Sequence, residues 1–526
     1  MYPGTFADTC PDRPAVVMGG SGQVVTYRDL DRRSNRIAHL LRHQGLRPGD
    51  TLAVVSENRR EVFDLAWAAQ RSGLQLTMVN HHLTPEESAY IVADSGAKVV
   101  VLTPATAECA DALAPAEIPA LERRLMIGEA AVPGWERFEE VVAGFPATPV
   151  PDECEGDIML YSSGTTGRPK GILREVTGAP IGSHPDVPGH WLRETLGMRP
   201  GDVYLCPAPL YHAAPLAWSM ACHRTGATVV VMERFEPEQA LRLIERHRVT
   251  HSQWVPTMFV RMLKLPERIR RRYDLSSLRS AVHAAAPCPV PVKHRMIEWW
   301  GPILYEFYSA TEGIGATAIT SEEWLRKPGS VGRPLLGTPR ILDEQGRELP
   351  AGEVGVVWFE GGTPFEYRGD PGKTAAATDR HGRRTVGDMG RLDEDGFLYL
   401  TDRATNMIIS GGVNIYPQEV ENALILHPDV ADAAVLGVPD HDMGEQVKAV
   451  VQLEDGSPAD HDTAERLFEH CRAQLAGYKC PRSLEFTGDQ LRSPAGKVRV
   501  EPLRRRFGSG PGPFVRGDGQ GRTQRQ

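Results

Sequence analysis

The sequence predicts an α/β protein: a large N-terminal domain of α/β sheets with a β-rich subdomain, followed by a small α+β C-terminal domain. Three observations carry this expectation. They are a length of 526 residues, short β-branched runs alternating with amphipathic stretches, and a change to turn-rich texture from about residue 337. A chain this long exceeds what one hydrophobic core organises, so at least two domains are expected. Runs 51–55, 98–102 and 227–232 are strand-like, whereas 30–43, 60–72 and 239–246 carry helical periodicity. Strands alternating with helices make largely parallel sheets. Beyond 337, pieces such as 353–359 and 396–401 are separated by Asp-Gly and Pro-Gly turns, a β-rich part closing the large domain, 1–403. A helix over 417–426, strands over 430–437 and 447–453, and a helix over 464–475 then make a small domain, 404–507. Residues 508–526 are Gly, Pro, Arg and Gln with almost nothing apolar to offset the entropy of ordering, so a disordered tail is expected.

Composition narrows the function. Lys and Arg total 59 against 68 Asp and Glu, a net charge of −9, so no global positive field exists to attract nucleic acid. The eight cysteines contain no CxxC pair and no Cys/His cluster at zinc spacing, which reads as reduced, mostly buried thiols. Pro3, Gly4 and Asp8 stand where a signal peptide would carry a basic start and an apolar run, and no stretch approaches membrane-spanning length. A cytoplasmic location is expected.

The chemistry begins at Tyr161-Ser-Ser-Gly-Thr-Thr-Gly-Arg-Pro-Lys-Gly171, which follows the apolar run 158–160. Gly164, Gly167 and Gly171 let backbone amides turn towards an anion; Ser162, Ser163, Thr165 and Thr166 add hydroxyl donors and Lys170 a charge. Such a surface suits a polyphosphate. The spacing is not that of the Walker loop, and Gly372-Lys373-Thr374 imitates that motif's end with Tyr367 where its first glycine belongs.

Four further segments follow: Tyr308-Ser-Ala-Thr-Glu-Gly313; Gly387-Asp388-Met389-Gly390 with Arg403 beyond it; Ser410-Gly411-Gly412 running into a helix past Pro417; and Ser493-Pro494-Ala495-Gly496-Lys497. A tyrosine ring can stack on adenine, a carboxylate can coordinate Mg²⁺ or accept from ribose hydroxyls, and a Pro/Gly turn can present a lysine at its tip. Taken singly, each segment reads equally well as a turn or a solvated surface.

In this order the segments resemble the superfamily of acyl-CoA synthetases, peptide-synthetase adenylation domains and luciferases, from about residue 26 to Lys497. The resemblance implies that 162–170 clamps the ATP phosphates, Tyr308 stacks on adenine, Thr311 binds the α-phosphate and Glu312 holds Mg²⁺. It puts Glu306 with the nucleotide-binding residues, Asp388 and Arg403 on the ribose, and the backbone of Gly411 and Gly412 along a pantetheine tunnel. Lys497, Glu312, Thr166 and His212 form the implied catalytic set, with Lys497 bridging the attacking carboxylate and the α-phosphate. His212 in Pro209-Leu210-Tyr211-His212 gates the implied acid pocket, Val255-Pro256-Thr257-Met258 walls it, and 283–288 carries alanines where the family is richer in glycine.

The implied reaction is adenylation of a carboxylic acid, then transfer to CoA after the small, mobile domain rotates about a hinge past Arg403. Thr405 stands where the family usually has Asp or Lys, and Asp402 where many members have Gly. ATP, Mg²⁺ and CoA are the expected cofactors and co-substrates, and a small-molecule acid the expected partner. A carrier protein or amine acceptor, an inorganic oxyacid, a luciferase-type oxidase and a non-catalytic nucleotide-binding protein are the alternatives. Segment 178–190 is longer than usual, either an ordered insertion or a loop. Arg268 and Arg270–Arg272 are a candidate contact for the CoA 3′-phosphate or a solvated helix face.

Overall fold

The computed structural model describes residues 1–516 apart from 115–116, 130–131, 163–168, 184–186, 404–405, 412 and 494–495. Two sheets organise the large domain. One has six parallel strands in the spatial order Glu136–Arg137, Arg123–Met126, Ala97–Leu102, Thr51–Val55, Gln75–Val79 and Asp157–Ile158. The other has nine strands. Its interior, Leu304–Ser309, Ser280–His283, His251–Trp254, Val203–Cys206, Thr228–Val231 and Pro14–Met18, is parallel, with antiparallel strands at both edges.

Strand periodicity of two sorts side chains onto opposite faces. Leu52 and Val54 face a core shared with Tyr204, Cys206, Val229 and Val231 of the other sheet. Ala53 and Val55 face outward under the helix Pro85–Asp94, and Leu205 and Val230 face the helices Pro237–His247, Pro256–Leu263 and Val290–Trp300. Helices Tyr27–His43, Glu61–Arg71 and Ala213–Thr225 fill the space between the sheets. The layers therefore run helix, sheet, helix, sheet, helix. Glu61–Arg71 is buried along all 11 residues, as a helix between two sheets must be. Tyr27–His43 starts on a capping box in which Thr26 Oγ1 accepts from Asp29 N at 3.1 Å, and its Leu30, Ile37 and Leu41 make the buried stripe.

The expected β-rich part is an antiparallel sheet of Thr338–Leu342, Gly355–Glu360, Asp388–Leu392 and Leu398–Arg403. A second small sheet pairs Leu160–Ser162, Lys170–Leu173 and Glu366–Tyr367. The C-terminal sheet is built on the long hairpin Val430–Asp440 and Gly444–Leu453, covered by the helices Pro417–Leu424 and His461–Gln474.

The tail differs from expectation. Gly508 follows the helix Val500–Phe507, and Phe514–Val515 adds a strand antiparallel to Ser483–Phe486, with the Phe514 ring 5.1 Å from that of Phe486. A composition poor in apolar residues was offset by backbone pairing and one aromatic anchor, so order extends at least to 516; residues 517–526 lie outside the described residues. In the long segment, Glu155 N donates to Ala179 O at 2.8 Å and Gly182 N to the Glu155 carboxylate at 2.6 Å, and Val187–Glu194 is a helix. All eight cysteines are free and six are buried. No helix among the described residues is long and apolar enough to cross a membrane.

Candidate active site

In open parallel sheets, loops leaving the carboxyl ends of the strands form the ligand crevice. Four such loops in the nine-stranded sheet carry the sequence-predicted groups: His212 after Val203–Cys206, Val255 to Thr257 after His251–Trp254, 284–286 after Ser280–His283, and Tyr308 to Glu312 at the end of Leu304–Ser309. In the second of the small sheets, Lys170 pairs in register with Ser162, so 163–169 spans a hairpin whose next element is a strand, not the helix of a Walker loop. Both stems are anchored: Tyr161 donates to Asp94 Oδ2 at 2.7 Å and Tyr90 to Pro169 O at 3.1 Å. Lys170 Nζ is 3.7 Å from Asp370 Oδ2. Ser163, Gly164, Thr165, Thr166 and Gly167 lie outside the described residues, as do Thr405 and Gly412.

The nucleotide candidates converge. The Tyr308 hydroxyl donates to Asp388 Oδ2 at 2.7 Å, joining the adenine-stacking and ribose-binding candidates although they are 80 positions apart. Asp388 in turn stands directly opposite Arg403 in the antiparallel register. Glu312 is buried, 7% exposed, with Oε1 accepting from the Tyr367 hydroxyl at 2.8 Å. The Thr311 carbonyl accepts from Arg174 Nη2 at 2.7 Å. Tyr367 and Arg174 were not singled out in the sequence; only their placement across the chain reveals them as supports of the 311–312 turn. Among the described residues no group of three or more His, Cys, Asp or Glu is placed to hold a metal. Mg²⁺ bound with a nucleotide needs only one or two carboxylates, and Glu312 supplies one hard-oxygen donor already oriented by a hydroxyl.

Glu306, expected with the nucleotide contacts, lies within the nine-stranded sheet, in register with His283. It is buried on the strand Leu304–Ser309 and ion-paired with Lys293 Nζ at 2.6 Å, beside His283 at 3.7 Å. Burial raises its carboxyl pKa, and the Lys293 charge opposes the rise. In that place its carboxylate offsets the charge of the fully buried Lys293. Ala285 adopts φ 77°, the left-handed region that glycine favours, with a side chain of minimal size.

His212 sits at the N-cap of Ala213–Thr225. Burial, with the nearby Lys497 charge adding to it, pulls its pKa down to about 3, so the ring is neutral at ordinary pH. The Lys497 charge is therefore felt at His212 even though Lys497 belongs to the C-terminal part of the chain. The turn that carries it is docked: a Cβ built on Gly496, whose φ is 78°, would meet Thr257 Oγ1 at 3.3 Å and Val255 Cβ at 3.7 Å. Other contacts cross the same boundary. Lys264 Nζ is 2.5 Å from Glu454 Oε1 and also donates to the Val430 carbonyl, and Ile425 and Leu426 pack on the large-domain core.

Gly411, by contrast, forms its own turn: φ is 57°, its N–H donates to Met443 O at 2.8 Å, and an added Cβ would collide with the Met443 methyl. Ile409 and Val413, flanking it, are 50% and 45% exposed. The sequence reading also missed an aromatic wall. Trp218 stacks on Phe307 with ring centroids 5.6 Å apart and planes at 19°, and Trp191, on the helix Val187–Glu194, meets both edge-on. Of the arginine run, Arg271 pairs with Glu267 at 2.5 Å and Arg270 lies over the Trp299 ring, contacts that favour the solvated-face reading.

A lysine turn packed against the loops at the carboxyl ends of the nine-stranded sheet, where Tyr308, Asp388 and Glu312 converge, suits an enzyme that handles an adenylate. The chain matches the AMP-binding enzyme family over residues 5–366 and the AMP-binding enzyme C-terminal domain over 419–497. It is 35% identical to a feruloyl-CoA synthase of an Amycolatopsis species, over 96% of this chain and 98% of that protein. It is 33% identical to a fatty acid–[acyl-carrier-protein] ligase of Streptomyces coeruleorubidus, over 94% of each. The solved o-succinylbenzoate CoA synthetase of Bacillus subtilis, in complex with its acyl-adenylate intermediate, superposes with a TM-score of 0.77 at 26% identity, covering 95% of this chain and 97% of that one. The chain belongs to the AMP-binding enzyme family.

Proposed function

We propose that the protein activates a carboxylic acid with ATP as an acyl-adenylate and transfers the acyl group to coenzyme A, an AMP-forming acid–thiol ligation. The observation that carries this reading is the docked turn: Gly496 lies against Thr257 and Val255, which brings the neighbouring Lys497 to the loops at the carboxyl ends of the large sheet. A carboxylate oxygen attacks the α-phosphorus as the bond to the β-phosphate oxygen breaks and pyrophosphate leaves. Charge spreads over the transferring group, so catalysis is positioning and charge stabilisation. Lys497 holds the attacking carboxylate against the α-phosphate, Thr311 binds that phosphate, and the 162–170 hairpin with Lys170 holds the departing pyrophosphate. Tyr308 and Asp388 place the adenosine. Glu312 would hold Mg²⁺, which when bound offsets charge on the phosphates. His212, neutral, closes the acid side without adding a charge that would compete with Lys497.

In the second half-reaction the CoA sulfur attacks the acyl carbon, the bond to the AMP phosphate oxygen breaks, and the thiol proton leaves to solvent. Rotation of the small domain withdraws Lys497 and brings in the Gly411 turn, whose exposed Ile409 and Val413 are the apolar face available for docking. The carrier-protein ligase among the relatives supports a second acceptor, a carrier-protein thiol, which undergoes the same chemistry.

The deciding experiment is a pyrophosphate-release screen over ferulate, benzoates and straight-chain fatty acids, with and without CoA, with products read by mass spectrometry. Lys497→Ala is expected to abolish release while its circular dichroism and melting temperature match the wild type. Wild-type-like release would remove the assigned role.

A further inference from the structure

The turn that presents Lys497 is closed by Ser493 N donating to Lys497 O and Gly496 N to Ser493 O, both at 2.8 Å, and by Lys497 N donating to Ser493 Oγ at 3.3 Å. Beneath it lies Arg492, with its side chain 12% exposed. Nη1 donates to the Gly496 carbonyl at 3.2 Å, Nη2 to Glu421 Oε2 at 2.9 Å and to the Ala433 carbonyl at 3.0 Å, and Nε to Asp432 Oδ1 at 2.8 Å. One planar guanidinium thus ties the turn to the helix Pro417–Leu424 and the strand Val430–Asp440. Both carboxylates are themselves fixed: Glu421 Oε1 accepts from Val435 N at 3.1 Å and Asp432 Oδ1 from Ala433 N at 2.8 Å.

We propose that Arg492 is a positioning residue for adenylation: its fork, clamped between Glu421 and Asp432, holds the Gly496 carbonyl and so sets where Lys497 arrives at the Val255 to Thr257 loop. This rests on the adenylating role proposed for Lys497. A rigid planar fork suits that task better than a flexible ammonium, because several acceptors are held at fixed angles at once. The thioester step, in which Lys497 is withdrawn, does not depend on where the Lys497 turn points.

The test separates the half-reactions in the full-length enzyme, using an acid that the wild type turns over in the screen above, its synthetic acyl-adenylate, and CoA. A misplacement of about 1 Å at a reacting group costs on the order of 100-fold in rate. Arg492→Ala is therefore expected to lower kcat for pyrophosphate release about 100-fold, with KM for ATP within about threefold. Transfer from the synthetic acyl-adenylate to CoA should stay within about threefold. Arg492→Lys should recover at least about tenfold of the adenylation loss, because it keeps a charge between Glu421 and Asp432. Parallel losses in the two half-reactions, or no loss of pyrophosphate release, would overturn the proposal. Should Arg492→Ala fail to fold, Arg492→Gln in the same pair of assays decides by the same criterion. Lys497→Ala is run alongside: if it leaves pyrophosphate release intact, it is the adenylating role of Lys497 that fails.

Discussion

Lys264 joins the two domains where Lys497 is inserted, and its removal has a calculable effect. The ammonium meets the Glu454 carboxylate at 2.5 Å with the two side chains 29% and 40% exposed, and donates to the carbonyl of the buried Val430. A partly exposed ion pair contributes about 0.5 kcal/mol after screening. A charge-assisted hydrogen bond to a carbonyl adds about 1.5 kcal/mol. Together they favour the docked arrangement by about 2 kcal/mol, which is roughly thirtyfold in the docking equilibrium. On the mechanism proposed above adenylation proceeds only when docked, so Lys264→Ala should slow single-turnover pyrophosphate release by up to about thirtyfold. Transfer from a synthetic acyl-adenylate to CoA, which needs the undocked domain, should be unchanged or faster. Salt gives an internal control: raising ionic strength from about 0.1 M to 1 M shortens the screening length from about 10 Å to 3 Å. The wild type should therefore lose part of its rate with salt, and the variant less. Rapid-quench measurement of both half-reactions at the two salt concentrations reads this directly. Equal slowing of both steps, or a wild-type-like adenylation rate in Lys264→Ala at low salt, would show that this contact does not govern docking.

Two further outcomes follow from the geometry. Gly411→Ala must hold an L-residue at φ 57° and displace the Met443 methyl; adenylation should persist while CoA thioester formation falls at least about tenfold, measured by product mass spectrometry with and without CoA. His212 is lowered to about 3 chiefly by burial and His223 to about 4 for the same reason, whereas an unfolded histidine titrates near 6.5. Between those values the unfolded chain binds protons that the folded chain does not, so stability is lost as pH falls from about 6.5. The melting temperature of His212→Asn should accordingly drop less steeply than that of the wild type between about pH 7 and 5; parallel profiles would contradict the assigned cause.

What the sequence disclosed divides along the range of the forces involved. The strand Thr51–Val55 was legible to the residue because a continuous buried run is a local signal, and the start of the helix Pro417–Leu424, expected over 417–426, because proline and the preceding turn mark it. The meeting of Tyr308 with Asp388 was implied only by resemblance; nothing local in either segment encodes an 80-residue closure. Lys293 beneath Glu306, Tyr367 on Glu312, and Arg492 beneath Gly496 were invisible because each is an isolated polar residue whose partner is set by tertiary packing. The wall of Trp191, Trp218 and Phe307 shows the same limit for apolar groups: each ring alone reads as ordinary core. The tail was misread for a related reason, since composition weighs side chains and overlooks backbone pairing with a distant strand.

That last strand has a consequence for the chain's behaviour outside its chemistry. Phe514–Val515 covers the open side of Ser483–Phe486, and Lys448, 3% exposed, fastens the approach to it by donating to the Phe507 and Gly510 carbonyls at 2.9 and 3.2 Å. An uncovered strand edge is a template for pairing with another chain. The short C-terminal segment thus works as a cover for the sheet margin, and trimming the polypeptide at Gly508 would bare a sticky border that invites self-association.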